Sequence, residues 1–152
     1  MKTKTQLLIE LWQEARTRFT NQLPKLLEID LKKKLDPSPN SIGFLIRHIG
    51  DVELLFAKNV FGASETKVIA KTVINQKDTG EWIKLSELIN YVNHSFKVLK
   101  SIVEKQADAD WETTIETKEF GVKTKAEAFG RIISHTTYHA GQLAIIKKYG
   151  KA

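Results

Sequence analysis

The chain is 152 residues long, 41% hydrophobic and 28% charged, an ordinary globular balance whose length predicts a single domain over residues 1–152. It has no cysteine, which excludes a disulfide, a zinc ribbon, an iron–sulfur cluster and a cysteine nucleophile and fits a cytoplasmic protein; no apolar run is long enough to span a membrane. The net charge of +6 raises nucleic acid as a partner, but the basic runs Lys32–Lys34 and Lys147–Lys148 are short and no nucleic-acid motif accompanies them, so neither nucleic acid nor a membrane is expected as a partner.

The first helix is predicted to begin after Thr3, where Thr3-Lys4-Thr5-Gln6 has capping-box spacing. Leu8, Leu11, Trp12, Ala15, Phe19 and Leu23 form its apolar stripe. Charged residues interrupt that stripe, so the segment lacks the continuous apolar core of a signal peptide. Pro24 marks a restart, and residues 24–35 read as a second, short helix. The two prolines of Asp36-Pro37-Ser38-Pro39-Asn40 end it. Asn40 or Ser41 then caps the second long helix, whose stripe is Ile42, Leu45, Ile46, Ile49, Val52, Phe56 and Val60 and whose stop is Gly62. Residues 63–84 show no strong helical period; so long a connection is expected to be functional or mobile, with Trp82 pinning its end. The third long helix is predicted from Leu85 to Gln106, with Leu85, Leu88, Val92, Phe96, Leu99 and Val103 inward. Residues 108–123 read as irregular or extended, and Thr113, Ile115 and Thr117 recur at every second position, as in a short strand. Thr124-Lys125-Ala126-Glu127 is a second capping box opening the last helix, which Lys147, Lys148 and Gly150 close. Four long amphipathic helices predict an all-α four-helix bundle with a long loop between its second and third helices.

His135 and His139 stand four residues apart on the last helix, so their imidazoles share a face. The row Ile132, His135, His139, Gln142 and Ile146 borders that helix's apolar stripe, and Leu45, His48, Val52 and Leu55 form a similar row on the second. Burying three imidazoles costs free energy unless each finds a partner, and convergence on one metal ion satisfies all three. The plainer alternative is three core histidines, each donating one hydrogen bond. Three histidine ligands leave a tetrahedral ion one open position, the pattern of catalytic rather than structural zinc. The expected cofactor is therefore a divalent transition metal, zinc by default, with nickel, iron and manganese as alternatives. His94 points away from its helix's stripe and reads as a surface residue. Asp51, Glu53 and Gln142 are candidates to hold the histidines from behind. Glu53 is notable as a carboxylate on an apolar face, and Gln142 lies one turn beyond His139, where it can orient a substrate or water.

These features resemble the DinB-like superfamily of metal-binding four-helix bundles. The likeness is carried by Asn40 to His48 (NSIGFLIRH), by the His-x-x-x-His-x-Gly-Gln pattern of His135 to Gln142, and by the order of helices. The resemblance implies an up-down-down-up bundle, commonly a homodimer, with His48, His135 and His139 on one metal. It also implies activities of the kind found in bacillithiol transferases and mycothiol-dependent maleylpyruvate isomerase. Fold alone does not choose among them. The preferred expectation is thiol transfer, in which the open metal position takes a low-molecular-weight thiol whose thiolate attacks an electrophile. No buried carboxylate clearly offers itself as the general base that the alternative, a metal-dependent hydrolase, would use. A third expectation is a non-catalytic small-molecule-binding or stress-response module with a structural or vestigial metal site.

Overall fold

The computed structural model describes residues 1–152. Its elements are α1 (Lys4–Thr20), α2 (Ile42–Asn59), α3 (Lys71–Ile74), α4 (Leu85–Val103), the strands β1 (Thr114–Thr117) and β2 (Gly121–Thr124), and α5 (Lys125–Tyr149). Capping decides where the long helices begin. Thr3 and Thr124 each accept from the backbone N–H three residues on, while Gln6 and Glu127 reach back to the cap. Ser41, not Asn40, caps α2 by accepting from the Phe44 N–H at 3.2 Å. Past the end of α2, Gly62 takes φ +74°, a left-handed conformation open to glycine at little cost.

Residues 24–35 do not form the expected short helix. They make two 3₁₀ turns, Leu23–Lys25 and Glu28–Lys32. Asp30 closes the second by accepting from the Leu27 N–H at 2.9 Å. The apolar residues here are not at helical spacing: Leu26 and Leu31 are buried, whereas Leu27 and Ile29 face solvent. The connection 63–84 is not wholly irregular either, since it contains the one-turn helix α3. α4 ends at Val103, short of Gln106, and a 3₁₀ turn at Asp108–Glu112 follows. The expected strand has a partner. β1 and β2 pair antiparallel with Thr114 opposite Thr124 and Thr117 opposite Gly121.

Burial divides the interior into two apolar clusters. One gathers Phe19, Leu31, Ile46, Leu88 and Leu143; the other gathers Trp12, Phe56, Leu99, Trp111 and Phe129. Polar side chains occupy the boundary. On α1, Arg16 stands between Trp12 and Phe19; on α2, Glu53 between Ile49 and Phe56; on α4, Ser95 between Val92 and Leu99. Arg16 donates to both Glu53 oxygens, at 2.7 and 3.1 Å, and to the Val92 carbonyl at 3.0 Å. The Ser95 hydroxyl donates to Glu53 Oε2 at 2.6 Å. Both carboxylate oxygens of this buried ion pair are hydrogen-bonded, and the pair is bidentate, the kind of geometry under which a protein interior tolerates one. At the matching level of α5, between Ile132 and Ala140, lie His135, Thr136 and His139. No helix is long and apolar enough to cross a membrane.

Candidate metal centre

His48 from α2 and His135 and His139 from α5 come together with their nearest ligand atoms all within 4.8 Å of one another. The packing of α2 on α5 places them, because both helices turn their histidine rows toward the boundary between the apolar clusters. His94 on α4 is exposed and takes no part.

Hydrogen bonding fixes the state of two rings. Asp51, buried on α2, accepts from Arg47 Nε and Tyr91 Oη through Oδ1, and from the backbone N–H and hydroxyl of Thr72 through Oδ2. The Thr72 hydroxyl proton points at Asp51, 2.7 Å away, so its oxygen is left to accept from His48 Nδ1–H at 3.1 Å. His48 Nε2 is therefore unprotonated. His139 Nδ1–H donates to Gln142 Oε1 at 2.6 Å, which likewise leaves its Nε2 bare. His135 differs. Its Nδ1 is buried without a partner, and its Nε2 lies 3.1 Å from His48 Nε2. Two ring nitrogens this close need a proton or a cation between them. The spacing also matches the roughly 3.4 Å edge of a tetrahedral shell with Zn–N bonds near 2.0–2.1 Å. The donor set fits a divalent transition metal, and no carboxylate joins the three histidines as a further ligand.

All three rings are held neutral. Burial, reinforced by the other imidazoles, pushes the His135 pKa down to about 3. Burial and His139 push His48 down to about 4 against the opposing pull of Asp51. Burial also lowers His139, opposed by its bond to Gln142. Neutral imidazole is the form that binds metal.

The histidines line a cavity of about 970 Å³ between α2, α5 and the β1–β2 hairpin. Val52, Leu55 and Phe56 supply an apolar wall, Val73 of α3 closes one side, and Phe120 and Arg131 stand on the hairpin side.

The structure separates the residues expected behind the histidines. Asp51 acts on His48 through Thr72, and Gln142 bonds His139 directly. Glu53 does not reach the cluster: both its oxygens are engaged by Arg16 and Ser95 on the far side of α2. Its place on the apolar side of α2 reflected that buried pair. Sequence reasoning missed Thr72, which sits in a segment without periodicity.

Fold and site together define a mainly helical protein in which three convergent imidazoles stand at a deep cleft. The DinB superfamily model matches residues 10–143, and the chain belongs to that superfamily. The crystal structure of a mutant mycothiol-dependent maleylpyruvate isomerase superposes with a TM-score of 0.67 at 14% identity, covering 94% of this chain and 63% of that one. This chain thus spans less than two thirds of that protein, and the likeness is one of fold. No curated protein matches the chain.

Proposed function

We propose that the chain is a divalent-metal-dependent enzyme of thiol chemistry, an S-transferase in the broad sense, with His48, His135 and His139 holding the ion. The observation that carries this is the set of three neutral imidazoles, two with Nε2 bare, facing a large cavity with no carboxylate among them. When bound, a divalent ion would supply a Lewis acid that favours thiolate over thiol at neutral pH. The chain's own residues do the rest. Thr72 and Gln142 orient His48 and His139, and the apolar wall excludes water from the sulfur and from the electrophile it attacks.

Hydrolysis is disfavoured because it needs a general base within hydrogen-bond reach of the attacking water. Asp51 already accepts from Arg47, Tyr91 and Thr72, and Glu53 is bound by Arg16 and Ser95; the carboxylates that line the cavity, Glu116 and Glu119, stand on the hairpin and do not join the histidine cluster. The structural neighbour is named for a mycothiol-dependent reaction, which supports a low-molecular-weight thiol as substrate. Zinc is the metal proposed first. A four-helix bundle that pairs as a homodimer in the cytoplasm completes the reading.

Elemental mass spectrometry of the purified protein beside His48→Ala, His135→Ala and His139→Ala tests the site. About one equivalent of transition metal is expected, lost in each variant. Full metal affinity in all three variants would remove the assignment. Turnover of chlorodinitrobenzene with a small thiol, and none with water alone, is expected of a transferase. Ester or amide cleavage without thiol would favour a hydrolase instead.

A further inference from the structure

We propose that Arg131 is a carboxylate anchor, and that the thiol taken by this cavity carries a carboxylate a short chain away from its sulfur. The inference rests on the thiol reading above and specifies the substrate class. Arg131 precedes His135 by four residues on α5, a rise of about 6 Å along the helix, and lines the same cavity. Its guanidinium lies over the Phe120 ring, 4.9 Å from the centroid. This contact holds the guanidinium beside the ring, and none of its N–H groups is engaged by the protein, so they are free for a planar acceptor.

The other arginines show what is unusual here. Arg16 is spent on Glu53 and Arg47 on Asp51; Arg18 is exposed on α1, outside the cavity. Arg131 makes no ion pair, and its guanidinium donates to no group in the protein. Glu116, Lys118 and Glu119 also line the cavity from the hairpin, but neither glutamate pairs with Arg131. Among these hairpin residues the two glutamates outnumber the one lysine and the histidines are neutral, so Arg131 and Lys118 are the cations of the cavity, and of the two only Arg131 presents a planar fork of donors. Arg131 is thus an oriented cation without a partner, one helical turn from the imidazoles and beside an apolar wall that suits methylene groups. A carboxylate accepts two parallel N–H bonds from such a guanidinium, the strong charge-assisted arrangement. A ligand with sulfur at the histidines and a carboxylate at Arg131 would span the cavity in one pose.

The test uses the full chain loaded with cobalt(II), whose visible spectrum reports occupancy of the site and whose sulfur-to-cobalt band reports thiol binding. Two matched pairs are titrated: mercaptopropionate against mercaptopropanol, and mercaptohexanoate against mercaptohexanol, so that reach is sampled at two lengths. The acid is expected to bind about tenfold tighter than the alcohol in at least one pair. Arg131→Gln should abolish that preference and leave the affinity for the alcohols unchanged, and Arg131→Lys should keep part of it. Equal affinities for acid and alcohol in both pairs would overturn the proposal, as would a preference that survives in Arg131→Gln. If cobalt binds but none of the four thiols gives the band, the thiol reading itself falls and takes the anchor with it. Arg131 is exposed, so an unchanged melting temperature is expected for both variants.

Discussion

Thr72 sits between an acceptor and a donor that have little freedom. Asp51 Oδ2 can only accept from it, and His48 must keep its Nε2 bare to bind an ion, so the hydroxyl transmits the carboxylate's preference to the ring. The same threonine also donates its backbone N–H to Asp51 at 3.2 Å. Thr72→Val preserves shape and removes only the hydroxyl, leaving His48 Nδ1–H without an acceptor in a buried place. Loss of such a supporting bond ordinarily costs about 10–100-fold in metal affinity. That weakening is the expected result in a chelator competition with zinc, and Thr72→Ser should restore most of it. Wild-type affinity in Thr72→Val would show that His48 is oriented by packing alone. Glu53 makes the contrasting case. It is as buried as Asp51, yet its charge is matched by Arg16, and removing one member of such a pair generally costs about 3–5 kcal/mol because the other charge is stranded. Its work is to hold α1, α2 and α4 together rather than to serve the site.

At the scale of elements, the segment 63–84 belongs to the site because it is pressed onto α2. Gly43 is where they touch: a Cβ there would come within 1.8 Å of the Trp82 carbonyl oxygen. Arg47 holds the same tryptophan from below, its guanidinium 4.8 Å from one Trp82 ring and 3.5 Å from the Tyr91 ring. Replacing glycine by alanine inside a helix ordinarily gains about 1 kcal/mol, but overpacking against rigid backbone costs about 1–3 kcal/mol, and so deep an overlap puts the balance on the destabilising side. Gly43→Ala should therefore lower the melting temperature and, by shifting the segment that carries Thr72, weaken metal binding as well. Gly130→Ala on α5, where a Cβ meets nothing within 4 Å, should instead stabilise slightly. Equal effects of the two substitutions on melting would mean that the segment does not dock as described. The sequence announced Trp82 as the pin, but not its contact with Gly43 or the turn of helix at Lys71–Ile74. Both depend on packing between residues some twenty to forty positions apart, and local periodicity carries no trace of that.

The whole molecule is two apolar clusters joined across a polar layer, with the Arg16–Glu53–Ser95 group in one part of it and the histidines in another. The long helices were legible because each advertises itself locally, through a capping box at Thr3 and Thr124 and a 3.6-residue stripe along α2 and α4. The histidines were legible because two of them are i, i+4 on one helix. The partners of the layer were not, since Arg16 and Ser95 look like ordinary surface residues until α1 and α4 are placed against α2. This layer has a consequence for stability. In the metal-free protein His135 and His48 have folded-state pKa values of about 3 and about 4, and His139 is also lowered, against an ordinary value of 6.5. As pH falls below about 6.5, the unfolded chain takes up protons on these rings that the folded chain refuses, so more protons are bound in the unfolded state and stability falls with falling pH. Each fully titrating ring contributes a slope of up to about 1.4 kcal/mol per pH unit. The loss continues until the folded rings themselves protonate near pH 4 or below. The carboxylates whose pKa values are lowered, Asp30 and Asp108 among them, add their own loss only in the lower part of this range and beneath it. Urea midpoints of the metal-free protein should therefore decline between about pH 7 and about pH 5, and His48→Gln with His135→Gln should flatten that decline while leaving the steeper loss below about pH 4 in place. A level profile between pH 7 and pH 5, or an unchanged slope in the double variant, would mean that the rings are already charged or solvated when no metal is bound.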